Sequence, residues 1–248
     1  MLSVYAESFS PSLDTAVSHA LLRMVADGDC GESLRLYRPD DVVAFGKRDV
    51  VTHGFLQAVE SAGKAGFDSI IRLAGGRAAV FHRDTVAFAW TMPAPSPRAG
   101  INERFERLSD LLLGAFRALG ADARIGEVPG EYCPGEFSIN LGGRSKVMGV
   151  GQRLIAGAAH LGGVIVVDRG DRIAEVLVPV YRDLGLEWDP GTSGDLASGV
   201  PGLTWPQVHE AVLGSFAEIA DIAPAAIPAA VLARAKGLEP AHAVGNRQ

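Results

Sequence analysis

The chain has 248 residues, 48% of them hydrophobic and 21% charged, which suits one sizeable core or one large domain with a small appendage and excludes a disordered or fibrous protein. Its 23 basic and 29 acidic side chains give a formal charge of -6, so nucleic acid is not expected as a partner. Two cysteines, Cys30 and Cys133, are too few for a disulfide framework and point to a reduced, cytoplasmic setting. No basic start leads into an apolar stretch at the amino terminus, and LGGVIVV (161–167) is far shorter than the ~20 residues of a membrane span, so no membrane partner is expected either.

A first helix is predicted after Ser10-Pro11, with Leu13, Val17, Leu21 and Met24 at helical spacing. Two β-type runs follow, SLRLYR from Ser33 and VVAFG from Val42, and the intervening Pro39-Asp40-Asp41 predicts a hairpin turn. A second helix carries Phe55, Val59 and Ala62. A third runs from about residue 102 to 119, burying Phe105, Leu108, Leu112 and Phe116. Between these helices lie SIIRLAGGRAAVFH and TVAFAWTM. After them come EFSINL, KVMGVGQRLI and HLGGVIVV. Strands and helices alternate irregularly, so the expected class is α+β, with a mixed, largely antiparallel sheet packed with helices.

Residues 1–187 are expected to form the main domain. Residues 188–223 supply a Gly/Ser/Asp/Pro-rich loop and a helix packed on it, opened by a Thr204–Gln207 capping box and burying Val208, Val212 and Phe216. Residues 224–248 read as an Ala/Pro-rich tail with room for one short helix and a disordered end, HAVGNRQ.

Three segments have the composition of a site. In RLAGGRAAVFH, Gly75-Gly76 allow close backbone approach to a ligand, and Arg72 and Arg77 flank the bend with charge suited to an anion. The bland alternative is a hairpin turn. In GGRSKVMGVGQR, strict alternation puts Lys146 on one face with Met148, Val150 and Gln152, and Gly149 and Gly151 on the other. Such a lysine either snorkels to water or serves as a fixed cation that polarises a substrate oxygen. In EYCPGEF, Cys133 sits on a Pro-Gly turn, as an inert thiol or as a nucleophile. His82 and His160 border glycine-containing β segments. No zinc spacing or GxSxG elbow occurs.

Taken together, LDTAVSHALL, LRLYRPDDVVAFGKRD, RLAGGRAAVFH, GGRSKVMGVGQR and HLGGVIVV resemble, in order and spacing, the biotin/lipoyl protein ligase superfamily, in its lipoate-protein ligase and octanoyl or lipoyl transferase branch. The resemblance implies that the chain attaches a lipoyl or octanoyl group to the lysine of a lipoyl domain. It assigns Lys146 to the acyl carbonyl, Arg72, Gly75, Gly76, Arg77 and Gly149 to the loops beside it, and His82 and His160 to the substrate site. Lipoyl domains of 2-oxoacid dehydrogenases or the glycine-cleavage H protein would be the acceptors, and an acyl carrier protein a donor.

Two chemistries follow. A Cys133 thioester would carry the acyl group without a cofactor, since EYCPGEF resembles the Cys-Pro-Gly segment of the cysteine-using members. Alternatively, ATP and Mg²⁺ would give an acyl-adenylate held by Lys146 and the Gly75-Gly76 loop. Arg77 stands where the branch usually has a third glycine, which narrows the backbone approach and adds a charge where an adenylate phosphate would sit, and Arg83 intervenes before Asp84, which either alters the adenylate pocket or relocates the acid. Non-catalytic acyl or nucleotide binding is a further alternative, and biotin attachment matches the segments less well.

Overall fold

The computed structural model describes residues 1–244. Strands β1 (Leu2–Tyr5), β2 (Ser33–Tyr37), β6 (Thr85–Ala94), β7 (Ala123–Ile125), β8 (Ile139–Leu141), β9 (Ser145–Ile155), β10 (Gly157–Val166) and β11 (Ile222–Pro224) form one sheet in the order β11-β1-β2-β6-β10-β9-β8-β7. Strands β3 (Val42–Phe45), β4 (Asp68–Ile71) and β5 (Ala79–Phe81) form a second, in the order β4-β3-β5. Pairing is antiparallel except at β11-β1, β1-β2 and β3-β4, so the expected mixed, largely antiparallel α+β class holds.

The two faces of the large sheet differ in a way the alternation of β strands explains. One face presents Leu34, Leu36, Phe88, Trp90, Met148, Leu161 and Ile165 to helices α4 (Ile101–Ala118) and α6 (Trp205–Ala217), through Leu108, Leu112, Phe116, Val208, Val212 and Phe216. This is the main core. The other face, read across β9, β10 and β6, places Gly151 opposite Gly162 and Gly162 opposite Ala89, with Gly149 paired to Val164 and Val164 to Ala87. Small residues in register leave a trough, into which Lys146, the Gly75 carbonyl and His160 lean over Gly149, Gly151 and Gly162.

Helix α1 (Pro11–Asp27) covers part of that trough and is held to the sheet by the buried Arg35–Asp14 ion pair at 2.5 Å. Helices α3 (Phe55–Lys64) and α5 (Gly170–Asp183) pack against the small sheet, joining Val43, Phe45 and Val80 to Ala58, Ile173, Leu177 and Val180. The apolar spacing of Ile173, Val176, Leu177 and Val180 carries the helical period of α5, which the sequence reading passed over.

Three expectations need correction. The runs from Ser33 and Val42 are not a hairpin: β2 lies between β1 and β6, whereas β3 lies between β4 and β5. Both strands are buried, so each needs neighbours on two sides, and Pro39–Asp41 merely lead from one sheet to the other. Gly75-Gly76 are not a hairpin turn either, because β3 separates β4 from β5. The Ala/Pro-rich stretch from Pro224 is ordered through residue 244. Helix α7 (Ala229–Leu238) packs Val231 and Ala235 against Val17 and Leu21 of α1, and the buried His242 accepts the main-chain N–H of Ile71 on its carbonyl at 2.8 Å. The remaining four residues of HAVGNRQ lie outside the described residues.

Candidate active site

Lys146 does not lie on the face that strict alternation predicts. Along β8, adjacent residues Ile139 and Asn140 pair with Met148 and Lys146, so Val147 is an extra residue in β9. Such a bulge reverses the side-chain alternation behind it. Met148 therefore enters the main core, while Lys146 joins Gly149 and Gly151 over the trough, its Cε 3.2 Å from the place a Cβ on Gly149 would take.

The Lys146 side chain is 2% exposed, and its ammonium meets Glu131 Oε1 at 2.8 Å, Tyr132 O at 3.0 Å and Cys133 O at 2.8 Å. Three acceptors match its three hydrogens. The Glu131 carboxylate also accepts the N–H groups of Val128 and Gly135 and the hydroxyl of Ser138, at 3.0, 3.2 and 2.6 Å. Residues on both sides of the cysteine are thus gathered round one buried charge pair.

Cys133 itself has φ 42°, a left-handed conformation uncommon outside glycine and asparagine. Its N–H donates to Tyr181 Oη at 2.9 Å, and that hydroxyl donates to Ala78 O at 2.9 Å. Burial pushes the Tyr181 phenol well above its ordinary range, so it stays neutral and keeps the proton that this relay needs. Nothing in the local sequence of Tyr181 marks it; only the packing of α5 brings it to the cysteine.

The Cys133 sulfur points at the glycine loop. It accepts the N–H of Arg77 at 3.2 Å and lies 3.6 Å from Nη1 of Arg72, which also donates to Arg77 O at 2.9 Å. An N–H and a guanidinium at this range stabilise negative charge on sulfur. Gly76, at φ 118°, allows the approach: a Cβ there would fall 2.8 Å from the sulfur. The carbonyl of Gly75 lies 2.8 Å from the Cβ position of Gly151, so the loop rests directly on the trough.

These groups surround a cavity of about 470 Å³, in the ~300–1,000 Å³ range of small-ligand sites. Cys133, Lys146, Arg72 and Gly76 line one part of it, and Gly149, Gly151, Gly162 and Ala89 line its floor. His160 is buried in its wall, with Nδ1 3.0 Å from Thr91 Oγ1 and Nε2 leaning over Gly162. Burial, reinforced by the charge of Arg35, lowers its pKa to about 3, so it is neutral at ordinary pH. A second cavity of about 380 Å³ shares Gly76, Cys133 and Pro134 with the first and is lined by Arg48, Glu127, Tyr181 and Glu187. Cys133 thus borders both.

Of the residues expected at the site, Lys146, Cys133, Arg72, Gly75, Gly76, Gly149 and His160 come together. Arg77 contributes its main chain, while its guanidinium turns to the buried Asp49 at 3.1 Å instead of standing free for a phosphate. His82 is not brought there. It is fully buried at the turn into β6, where Nδ1 accepts the Asp84 N–H at 3.2 Å. Glu131 and Tyr181 were missed as contributors, since their parts depend on the fold of the loop.

An apolar trough with a cysteine and cations gathered at one end has the parts that holding and transferring an acyl group require. Residues 10–185 match the family model described as the lipoyl protein ligase A/B catalytic domain, so the chain belongs to that family and is an enzyme of protein lipoylation. It is similar to an octanoyl-[GcvH]:protein N-octanoyltransferase of Geobacillus kaustophilus (strain HTA426), 22% identical over 215 residues, 85% of this chain and 72% of that protein. A lipoyl-[GcvH]:protein N-lipoyltransferase of Listeria monocytogenes is 21% identical over 218 residues, 86% and 74% of the two chains. In fold, it is similar to a crystal structure of lipoate-protein ligase A bound with ATP, at TM-score 0.76 and 19% identity, covering 96% of this chain and 94% of that one. It is equally similar to a putative lipoate protein ligase from T. acidophilum with bound lipoic acid, at TM-score 0.76 and 20% identity, covering 97% and 94%. No helix among the described residues is long and apolar enough to cross a membrane.

Proposed function

We propose that the chain transfers an octanoyl or lipoyl group from a carrier to the lysine of a lipoyl domain, through a thioester on Cys133. The observation that carries this reading is the position of its sulfur, beside the apolar cavity and against the Arg77 N–H and the Arg72 guanidinium. The acyl chain lies along Gly149, Gly151, Gly162 and Ala89. At ~0.8 kcal/mol per buried methylene, its hydrocarbon supplies several kcal/mol of binding.

The thiolate attacks the acyl carbonyl carbon, the bond to the carrier breaks, and the leaving atom takes the proton that the thiol gave up. Positive charge at this end of the site, from the Arg72 guanidinium, offsets the charge that develops on oxygen. The acceptor's neutral amine then attacks the thioester from the second cavity, the carbon–sulfur bond breaks, and the amine proton returns to sulfur. The curated relatives named above act on GcvH, the glycine-cleavage H protein, which makes it the first candidate for the carrier.

The ATP-dependent alternative would use the glycine loop for an adenylate. Here the Arg77 N–H of that loop already faces the Cys133 sulfur, and the Arg77 side chain is held by Asp49, which favours the thioester route. The test supplies octanoylated H protein or octanoyl-acyl carrier protein, with an apo lipoyl domain, in the absence of ATP. Mass spectrometry should find an acyl group on Cys133 and then on the acceptor lysine, and Cys133→Ala should abolish both. Product that forms only from free acid with ATP, and that survives Cys133→Ala, would overturn the proposal.

A further inference from the structure

We infer that Glu131 is the positioning residue of the nucleophile, acting with Lys146 as one unit that builds the turn on which Cys133 is presented. The inference rests on the thioester reading and deepens it. The Glu131 carboxylate is 0% exposed on its side chain, yet three of the groups it meets, on Gly135, Ser138 and Lys146, belong to residues that line the cavity beside Cys133. It receives N–H groups from positions 128 and 135, the Ser138 hydroxyl and the Lys146 ammonium. These ties close the chain into a loop with Cys133 near its middle.

Lys146 completes the clamp by donating to the carbonyls of Tyr132 and Cys133. Its three hydrogens are then committed, and its charge is partnered by Glu131. Arg72 has no carboxylate partner among the described residues, and its guanidinium faces the sulfur. The cation left to meet an acyl oxygen directly is therefore Arg72. Lys146 helps the reaction by fixing the main chain that Cys133 follows in its left-handed conformation.

A buried ion pair behaves asymmetrically when it is broken: removing one partner strands the other, whereas removing both does not. The experiment uses that asymmetry in a Cys30→Ser background, so that Cys133 is the reporting thiol. Its alkylation by iodoacetamide is followed against pH in the parent, Glu131→Gln, Lys146→Met and the double variant, alongside acyl transfer. Glu131→Gln leaves an unpartnered ammonium bonded to the Cys133 carbonyl and should move the alkylation midpoint downward. It should lower kcat by roughly 100-fold, as expected for a misplaced nucleophile, with the KM for the acyl donor little changed because the trough is intact.

The double variant should be no worse in transfer than Lys146→Met alone, and its alkylation midpoint should return toward the parent's. If Glu131→Gln does not fold, the double variant, which buries no stranded charge, is compared with Lys146→Met in its place. An unmoved midpoint with near-parental kcat, or losses that multiply in the double variant, would overturn the inference. The alkylation profile needs no acyl donor. Absence of transfer in the parent would therefore refute the thioester reading while the profile still reports on Glu131.

Discussion

The main-chain nitrogen of Arg77 stands 3.2 Å from the sulfur of Cys133, across 56 residues of sequence. Only glycine at position 76 permits it, since its φ is 118° and a side-chain carbon would lie 2.8 Å from that sulfur. Gly76→Ala is expected to displace the sulfur from its N–H partner and to lower transfer by about 100-fold. The circular dichroism spectrum should stay unchanged, because the loop lies outside both sheets. Near-parental activity would show that the contact is dispensable.

Chain length should be read by the trough. Ala89 lies in its floor, paired with Gly162. Ala89→Leu inserts three carbons where the acyl chain would run, so acceptance should shift from eight-carbon donors toward shorter ones, with the butyryl-to-octanoyl ratio of kcat/KM rising by roughly tenfold or more. Competition between the two donors, resolved by product mass, checks this. An unchanged ratio would place the chain elsewhere.

His160 predicts acid sensitivity. Its folded pKa of about 3 lies below the ordinary 6.5, so the unfolded chain binds a proton that the folded chain refuses. Its neutral-state stability is complete above pH 6.5 and is lost as pH falls toward 3. For this one group the loss between pH 7.5 and pH 5 is about 2 kcal/mol. Urea unfolding at the two pH values should show His160→Gln losing about 2 kcal/mol less than the parent over that interval. Equal slopes would mean that the imidazole already carries its proton in the folded chain.

Much of the site was legible because its residues work through local chemistry. The double glycine, its flanking arginines, the lysine and the Cys-Pro-Gly turn each announce a backbone or charge property that a sequence can display. His82 misled because a histidine buried at a turn, serving the Asp84 N–H, looks in sequence like one that serves a ligand. Tyr181 went unread because its partners, Cys133 and Ala78, lie in segments whose proximity only the packing determines, and Glu131 because its bonds to Val128, Gly135 and Ser138 depend on the conformation of an irregular loop. In the fold, apolar period identified helices and strands well. It could not say which strands are neighbours, and so β2 and β3 looked like a hairpin though they belong to different sheets.

The bulge at Val147 makes the placement of Lys146 depend on how β9 pairs as well as on which residues it carries. Between Met148, which must enter the core with Leu112 and Phe116, and Lys146, which must reach Glu131, one amino acid is surplus to the ladder. Straightening the strand with Val147 retained would turn the ammonium into hydrocarbon, whereas removing Val147 would set Lys146 next to Met148 in a regular ladder and leave each on its own side.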